Sequence, residues 1–147
     1  GDVYKRQVLA RLVEEGLVDH VAMDVKAPLD PASYAKLTGV DGEWAVEKVK
    51  GSLSLLERSG VKLEVRTTVV PGLIGEAEVE AIASQLPRCD YYILNQFVPS
   101  DTVLDPEFRK LPATPRDQLL KLAEVALRSG ARNVYIRTRE AGLEKVG

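Results

Sequence analysis

The sequence has one cysteine, Cys89, and one histidine, His20, among its 147 residues. A single thiol excludes an internal disulfide and a cysteine-only zinc site, and a single imidazole excludes any two-histidine metal site. Charge of one sign is also missing. Twenty basic residues stand against 22 acidic ones, a net charge of −2, which argues against a nucleic-acid footprint and against a polybasic membrane anchor. No apolar run approaches the ~20 residues of a membrane span, and nothing resembles a signal peptide. What is present is ordinary: 45% hydrophobic and 29% charged residues, enough to bury one core without covalent staples. The expectation is one soluble, cytoplasmic domain with no nucleic-acid or membrane partner.

The start is unusual. Asp2 to Gln7 (DVYKRQ) is what GAT-GTG-TAT-AAG-AGA-CAG encodes, a string that resembles the transposon end used in sequencing-library preparation. Residues 1–7 are therefore expected to be an artefact, outside the fold, with the coding region continuing upstream. The alternative is a short polar lead-in to a helix.

Further along, Val8 to Glu15 reads as the end of an amphipathic helix closed by Gly16. Val18 to Val25 reads as a strand with Val21, Met23 and Val25 on one face and His20, Ala22, Asp24 and Lys26 on the other. Asp30 to Gly42 is a loop with a helical turn near Tyr34 to Leu37. Glu43 to Ser59 is a helix with Trp44, Val49, Leu53 and Leu56 along one stripe, stopped by Gly60. Val61 to Val70 alternates strongly and predicts a strand, with Val61, Leu63, Val65, Thr67 and Val69 on one side. Glu76 to Gln85 is a helix, Tyr91 to Val98 a strand, Asp101 to Pro115 a proline-punctuated loop, Arg116 to Arg128 a helix and Asn133 to Thr138 a last strand before a short tail. Alternation of this kind means a parallel α/β sheet. The strand spacing fits a barrel unit of about 31 residues, from ~250 residues over eight units.

In parallel α/β folds, sites form at the carboxyl ends of strands. The four strand ends offer Asp24 and Lys26, Arg66 and Thr68, Asn95, Gln96 and Phe97, and Arg137 and Thr138. An Asp-x-Lys pair can hold a ribose hydroxyl with its carboxylate and an acid with its ammonium. An arginine facing the same space can clamp a carboxylate with two parallel bonds. The plainer alternative is an ion pair of Asp24 with Lys26, or one involving Glu64, that satisfies a polar interior. His20 sits at the amino end of its strand, the side that serves stability. Cys89 reads as a buried or incidental thiol, Trp44 as core, and Glu76 and Glu78 as acids suited to a helix start.

Ala22-Met23-Asp24-Val25-Lys26-Ala27, then Tyr34…Leu37-Thr38-Gly39, then Val65-Arg66-Thr67-Thr68-Val69-Val70-Pro71-Gly72, then Ile93-Leu94-Asn95-Gln96-Phe97 together resemble the radical S-adenosylmethionine enzymes. The resemblance runs from Val8 to the end and points to the activases of glycyl-radical enzymes, especially those of anaerobic ribonucleoside-triphosphate reductase. It implies an α/β fold, the carboxyl-terminal part of a partial (β/α)6 barrel of TIM type with parallel strands. It implies reductive cleavage of S-adenosylmethionine to a 5′-deoxyadenosyl radical, with the electron supplied through a four-iron four-sulfur cluster from flavodoxin or ferredoxin. The radical then takes a hydrogen atom from a glycine of the partner enzyme. Carried over by position, Asp24 and Lys26 would contact the ribose and nearby polar groups. Arg66 and Thr68 would lie beside the methionine and ribose, and Gln96 and Phe97 near the adenine.

The departure lies in what binds the cluster. The family's Cys-x3-Cys-x2-Cys and its glycine-rich second-strand motif are absent, and Cys89 is in the wrong place. Both would lie upstream, in about three further units or roughly 90 residues. Residues 8–147 are thus expected to be the carboxyl-terminal portion of the core domain. Alone, it would hold no catalytic residue and no metal ligand, bind S-adenosylmethionine feebly, and expose the edge of its first strand. Two other readings stay open: a barrel enzyme acting on a phosphosugar or nucleotide through Asp24-Val25-Lys26, although Asp30 falls one place late for that pattern, and a non-catalytic domain that binds nucleosides or a protein partner.

Overall fold

Strict alternation from Lys62 to Val69 leaves β2 (Lys62–Val69) with two unlike faces. Leu63, Val65, Thr67 and Val69 are buried, whereas Glu64 and Arg66 are half-buried and Lys62 and Thr68 exposed. The same period sorts β1 (His20–Asp24) and β4 (Val134–Thr138), so one side of the sheet is apolar and the other polar. The computed structural model describes residues 20–29, 32, 35, 42–86, 89–99 and 111–147. The expected first helix, most of the 30–42 loop, the side chains of Trp44 and Leu56, and residues 101–110 lie outside the described residues.

The described elements run β1, α1 (Gly42–Ser59), β2, α2 (Glu76–Gln85), β3 (Tyr91–Gln96), α3 (Arg116–Arg128), β4 and β5 (Gly142–Lys145). They form one five-stranded sheet in the order β1-β2-β3-β4-β5. The first four strands pair in parallel, each joined to the next through a helix. β5 is a correction to the expected short tail: it returns antiparallel along β4. Backbone bonds between Val146 and Val134 and between Val134 and Gly147 hold it. Arg116 adds a two-pronged bond from α3 to Glu144, at 3.0 and 2.9 Å.

The helices cover the apolar side. Val46 and Leu53 of α1, Val79 and Ile82 of α2, and Leu119, Leu122 and Ala126 of α3 are buried with Val65, Tyr92, Leu94, Val134 and Ile136 of the sheet. Each large side chain so buried stabilises the fold by about 1.5–3 kcal/mol before entropy is counted. Polar groups inside this layer are paired: the Tyr92 hydroxyl donates to Thr67 Oγ1 at 2.9 Å, and Thr67 donates to the Val25 carbonyl at 2.9 Å. Strand starts are pinned by short polar links. Asp90 Oδ2 accepts from the Leu63 amide, and Asn133, held at φ 51°, passes its carbonyl to the Tyr92 amide and its side-chain N–H to the Asp90 carbonyl. Asparagine is one of the few residues that adopts this left-handed backbone readily. Gly130, at φ 109°, ends α3 while the Ala131 amide returns to the Ala126 carbonyl. No described helix is long and apolar enough to cross a membrane.

Candidate functional site

The polar face of the sheet, which the described helices leave uncovered, carries the candidate residues in register. Asp24 is opposite Arg66, Thr68 opposite Asn95, and Asn95 opposite Arg137. All lie toward the carboxyl ends of parallel strands, where the backbone stops pairing and side chains line open space.

Arg66 is the hub of the first half. Its Nε stands 3.3 Å from Asp24 Oδ1 and 3.7 Å from Glu64 Oε2. That Nε is buried and has no hydrogen-bond partner of good geometry among the described residues. Glu64 also meets His20 Nε2 at 3.5 Å, and the His20 ring stacks near Tyr91. Asp24 remains 60% exposed on its side chain, so it can take a ligand without leaving the arginine. The charge partner of Asp24 is therefore Arg66 and not Lys26. Lys26, just past the end of β1, is exposed and has no partner among the described residues.

The second half is a groove of about 440 Å³ lined by Thr68, Asn95, Gln96, Val98, Arg137, Thr138 and Arg139. Asn95 Oδ1 is buried there without a partner among the described residues. Gln96 borders the groove, but its amide is engaged at both ends. It donates to the Thr114 carbonyl at 2.8 Å and accepts from the Arg139 amide at 2.9 Å. Phe97 is buried and donates its backbone N–H to Thr114 Oγ1 at 3.1 Å. The structure thus brings Asp24, Arg66 and Glu64 together and places Thr68 beside the groove. It ties Gln96 and Phe97 into a separate cluster around Thr114.

Sequence reasoning offered Asn95 and Arg137 at their strand ends without giving either a contact, and it passed over Thr114. Asn95 and Arg137 share the face of Thr68, which follows from two-residue alternation once the register is known. Thr114 gives no local signal, because its partners are far along the chain.

Cys89 stands apart from the site. Burial pushes its thiol up to about 11, with Asp90 adding in the same direction against a backbone hydrogen bond, and it packs against the core. A folded value above the ordinary 9.0 makes the thiol's contribution complete below pH 9 and lost as pH rises toward 11. Urea midpoints should fall between pH 9 and 11. Cys89→Ala should flatten that slope, leaving the share of Tyr92, whose buried hydroxyl is also shifted upward.

No three His, Cys, Asp or Glu residues among those described are placed to hold a metal ion. With a single, partly buried thiol in the whole sequence, the residues present do not fit an iron–sulfur cluster.

No family model matches the sequence. A protein of Methanocaldococcus jannaschii, named as a candidate glycyl-radical enzyme activating enzyme, is 36% identical over 132 residues, 90% of this chain. The chain spans about half of that relative, 54% of its length. A radical S-adenosylmethionine methyltransferase from Sphaerobacter thermophilus shares the fold, with a TM-score of 0.69 over 90% of this chain and 37% of the other, at 13% identity.

Proposed function

We propose that this chain, a relative of the radical S-adenosylmethionine enzymes of glycyl-radical-activase type, is the carboxyl-terminal portion of such an enzyme and forms one wall of its S-adenosylmethionine site. The observation that carries this reading is the Asp24–Arg66 pair at two adjacent parallel strand ends, on the open face, with Lys26 and Thr68 one step beyond. In the whole enzyme the strands would close into part of a barrel.

The residues suit the ligand. The exposed Asp24 carboxylate accepts hydrogen bonds from ribose hydroxyls. The Lys26 ammonium and the Arg66 guanidinium offer donors to the methionine carboxylate, and the Thr68 hydroxyl serves the ribose side. Arg66 Nε lies between Asp24 and Glu64, so the terminal nitrogens of the partly exposed guanidinium are the donors for the ligand, and a charge-assisted bond of this kind contributes about 1.5–3 kcal/mol. Phe97 and the backbone at Gln96 stand on the adenine side. The Gln96 amide itself is committed to Thr114 and Arg139. When bound, S-adenosylmethionine supplies radical chemistry, and the role of these residues is to bind and orient it.

The four-iron four-sulfur cluster belongs to the part of the enzyme beyond this chain, since nothing here fits it. The partner is a glycyl-radical enzyme, with anaerobic ribonucleoside-triphosphate reductase as the proposed instance. Flavodoxin or ferredoxin is the proposed electron donor and the cytoplasm the proposed compartment.

The decisive experiment reads the native locus upstream of Val8 from unfragmented DNA. A reading frame that continues through Cys-x3-Cys-x2-Cys supports the proposal. A start codon just before Val8, with no cysteine motif, overturns it and leaves a nucleoside-binding or interaction domain.

A further inference from the structure

The Asp24–Arg66 pair is the last step of a longer row of charges on the open face. His20 Nε2 stands 3.5 Å from Glu64 Oε1, Glu64 Oε2 stands 3.7 Å from Arg66 Nε, and Arg66 Nε stands 3.3 Å from Asp24 Oδ1. The row joins the amino end of β1 to its carboxyl end. Both ends meet water: the side chains of His20 and Asp24 are 46% and 60% exposed. The middle does not. The Glu64 side chain is only 16% exposed, so little water screens its charge, and Arg66 Nε is buried.

Arg66 Nε is the undecided member of the row. A buried N–H ordinarily has a partner, yet this one lies between two acids without a hydrogen bond of good geometry to either. Its choice is set by the balance of those two neighbours, and one unit of charge beside either acid tips it. His20 stands where such a change occurs. An imidazole is the side chain that ordinarily gains or loses its charge between about pH 5 and 8, and His20 is the only one in the sequence. The other polar groups that face it from described elements are Asp24 on its own strand, Lys62, Glu64 and Arg66 on β2, and Tyr91 on β3, whose ring stacks on it at 6.2 Å. All are of kinds that do not ordinarily titrate in that range. We propose that His20, Glu64 and Arg66 form a proton-driven relay that decides whether Arg66 binds Glu64 or Asp24. With a proton on His20, the imidazolium answers Glu64, and Arg66 Nε donates to Asp24. Without it, Glu64 draws Arg66 Nε to itself, and the Asp24 carboxylate is left for a ligand. The relay goes beyond the proposed function, because it operates whatever ligand meets Asp24.

The test is a pH titration of the isotope-labelled 147-residue chain by NMR, from about pH 5 to 8, with no ligand added. It follows the His20 ring carbons, the Arg66 Nε–Hε pair and the carboxyl carbons of Asp24 and Glu64. The expected result is that all four groups move with one midpoint, that of the imidazole. Glu64→Gln keeps the size of the side chain and removes its charge. In that variant His20 should still titrate, while Arg66 and Asp24 no longer follow it. His20→Gln, at an exposed position, should leave Arg66 and Asp24 flat across the range, and it keeps the test open if Glu64→Gln does not fold. A flat Arg66 signal in the parent chain overturns the relay. So does movement of Arg66 and Asp24 that survives in Glu64→Gln, since the charge would then act without the carboxylate between them, or that survives in His20→Gln. No nucleoside enters the titration, so failure here leaves the S-adenosylmethionine reading untouched, and failure of that reading, judged by ligand binding, leaves the relay untouched.

Discussion

Thr114→Val should lower the stability of the chain by about 2–6 kcal/mol, although the two side chains have nearly the same shape. The Thr114 hydroxyl, buried to 1% exposure, donates to the Val69 carbonyl at 2.6 Å and accepts from the Phe97 amide at 3.1 Å. Valine removes both bonds at once, and each buried backbone group left unpaired costs about 1–3 kcal/mol. The backbone of residue 114 cannot compensate. Its N–H is already on the Phe97 carbonyl and its carbonyl already takes the Gln96 amide. Thr114→Ser keeps the hydroxyl and should cost only about 1 kcal/mol, the share of one lost methyl. Urea unfolding at constant m-value distinguishes them. If valine falls within roughly 0.5 kcal/mol of the parent, the hydroxyl does not hold these strand ends. The change should also reach the open face, because Thr68 and Asn95 stand next to the residues Thr114 ties down.

Thr114 also marks where local sequence stops being informative. α2 and α3 begin and end where their sequence signals put them, because Pro115, Gly130 and the acids of the first turns act within a few residues. The faces of β2 follow from alternation alone, since one side must meet the helices. Thr114 depends instead on groups 17 and 45 residues away, and its surroundings read only as a loop. β5 escaped for the same reason. Gly142-Leu143-Glu144-Lys145 has no hydrophobic alternation to speak of. Its place is set by pairing with β4 and by Arg116 of α3.

The candidate site was legible to a similar depth. That Asp24, Arg66, Thr68 and Arg137 would crowd one end of a parallel sheet follows from strand ends and alternation. Which of them would pair does not. Lys26 lies two residues from Asp24 in sequence, yet Arg66 across the strand gap takes the carboxylate. Gln96 and Asn95 are neighbours that alternation sends to opposite faces. Only the register with Thr68 shows that Asn95 is the one beside it, while Gln96 is consumed by Thr114 and Arg139. The groups free to meet a ligand are those left over once the fold has used the rest.

That distinction makes Arg66 the sharpest test of the nucleoside reading. In the longer enzyme proposed above, Arg66→Ala should weaken S-adenosylmethionine binding about 10- to 100-fold, the equivalent of about 1.5–3 kcal/mol for a charge-assisted bond. It should also destabilise the fold, because Asp24 and the half-buried Glu64 would lose their shared cation. A loss of affinity alone would therefore not separate a ligand role from a structural one. The double variant Arg66→Ala/Glu64→Gln separates them. It removes the uncompensated carboxylate, so stability should recover most of the way toward the parent, a coupling expected of groups in contact. Affinity should not recover, since no guanidinium is left to meet the methionine carboxylate. Asp24→Asn supplies the opposite control: Arg66 keeps Glu64, stability barely moves, and binding weakens through the ribose contact alone. If affinity in the double variant returned together with stability, Arg66 would serve only to balance its two acids, and the Asp24–Arg66 pair would be part of the sheet's own electrostatics and not a ligand site.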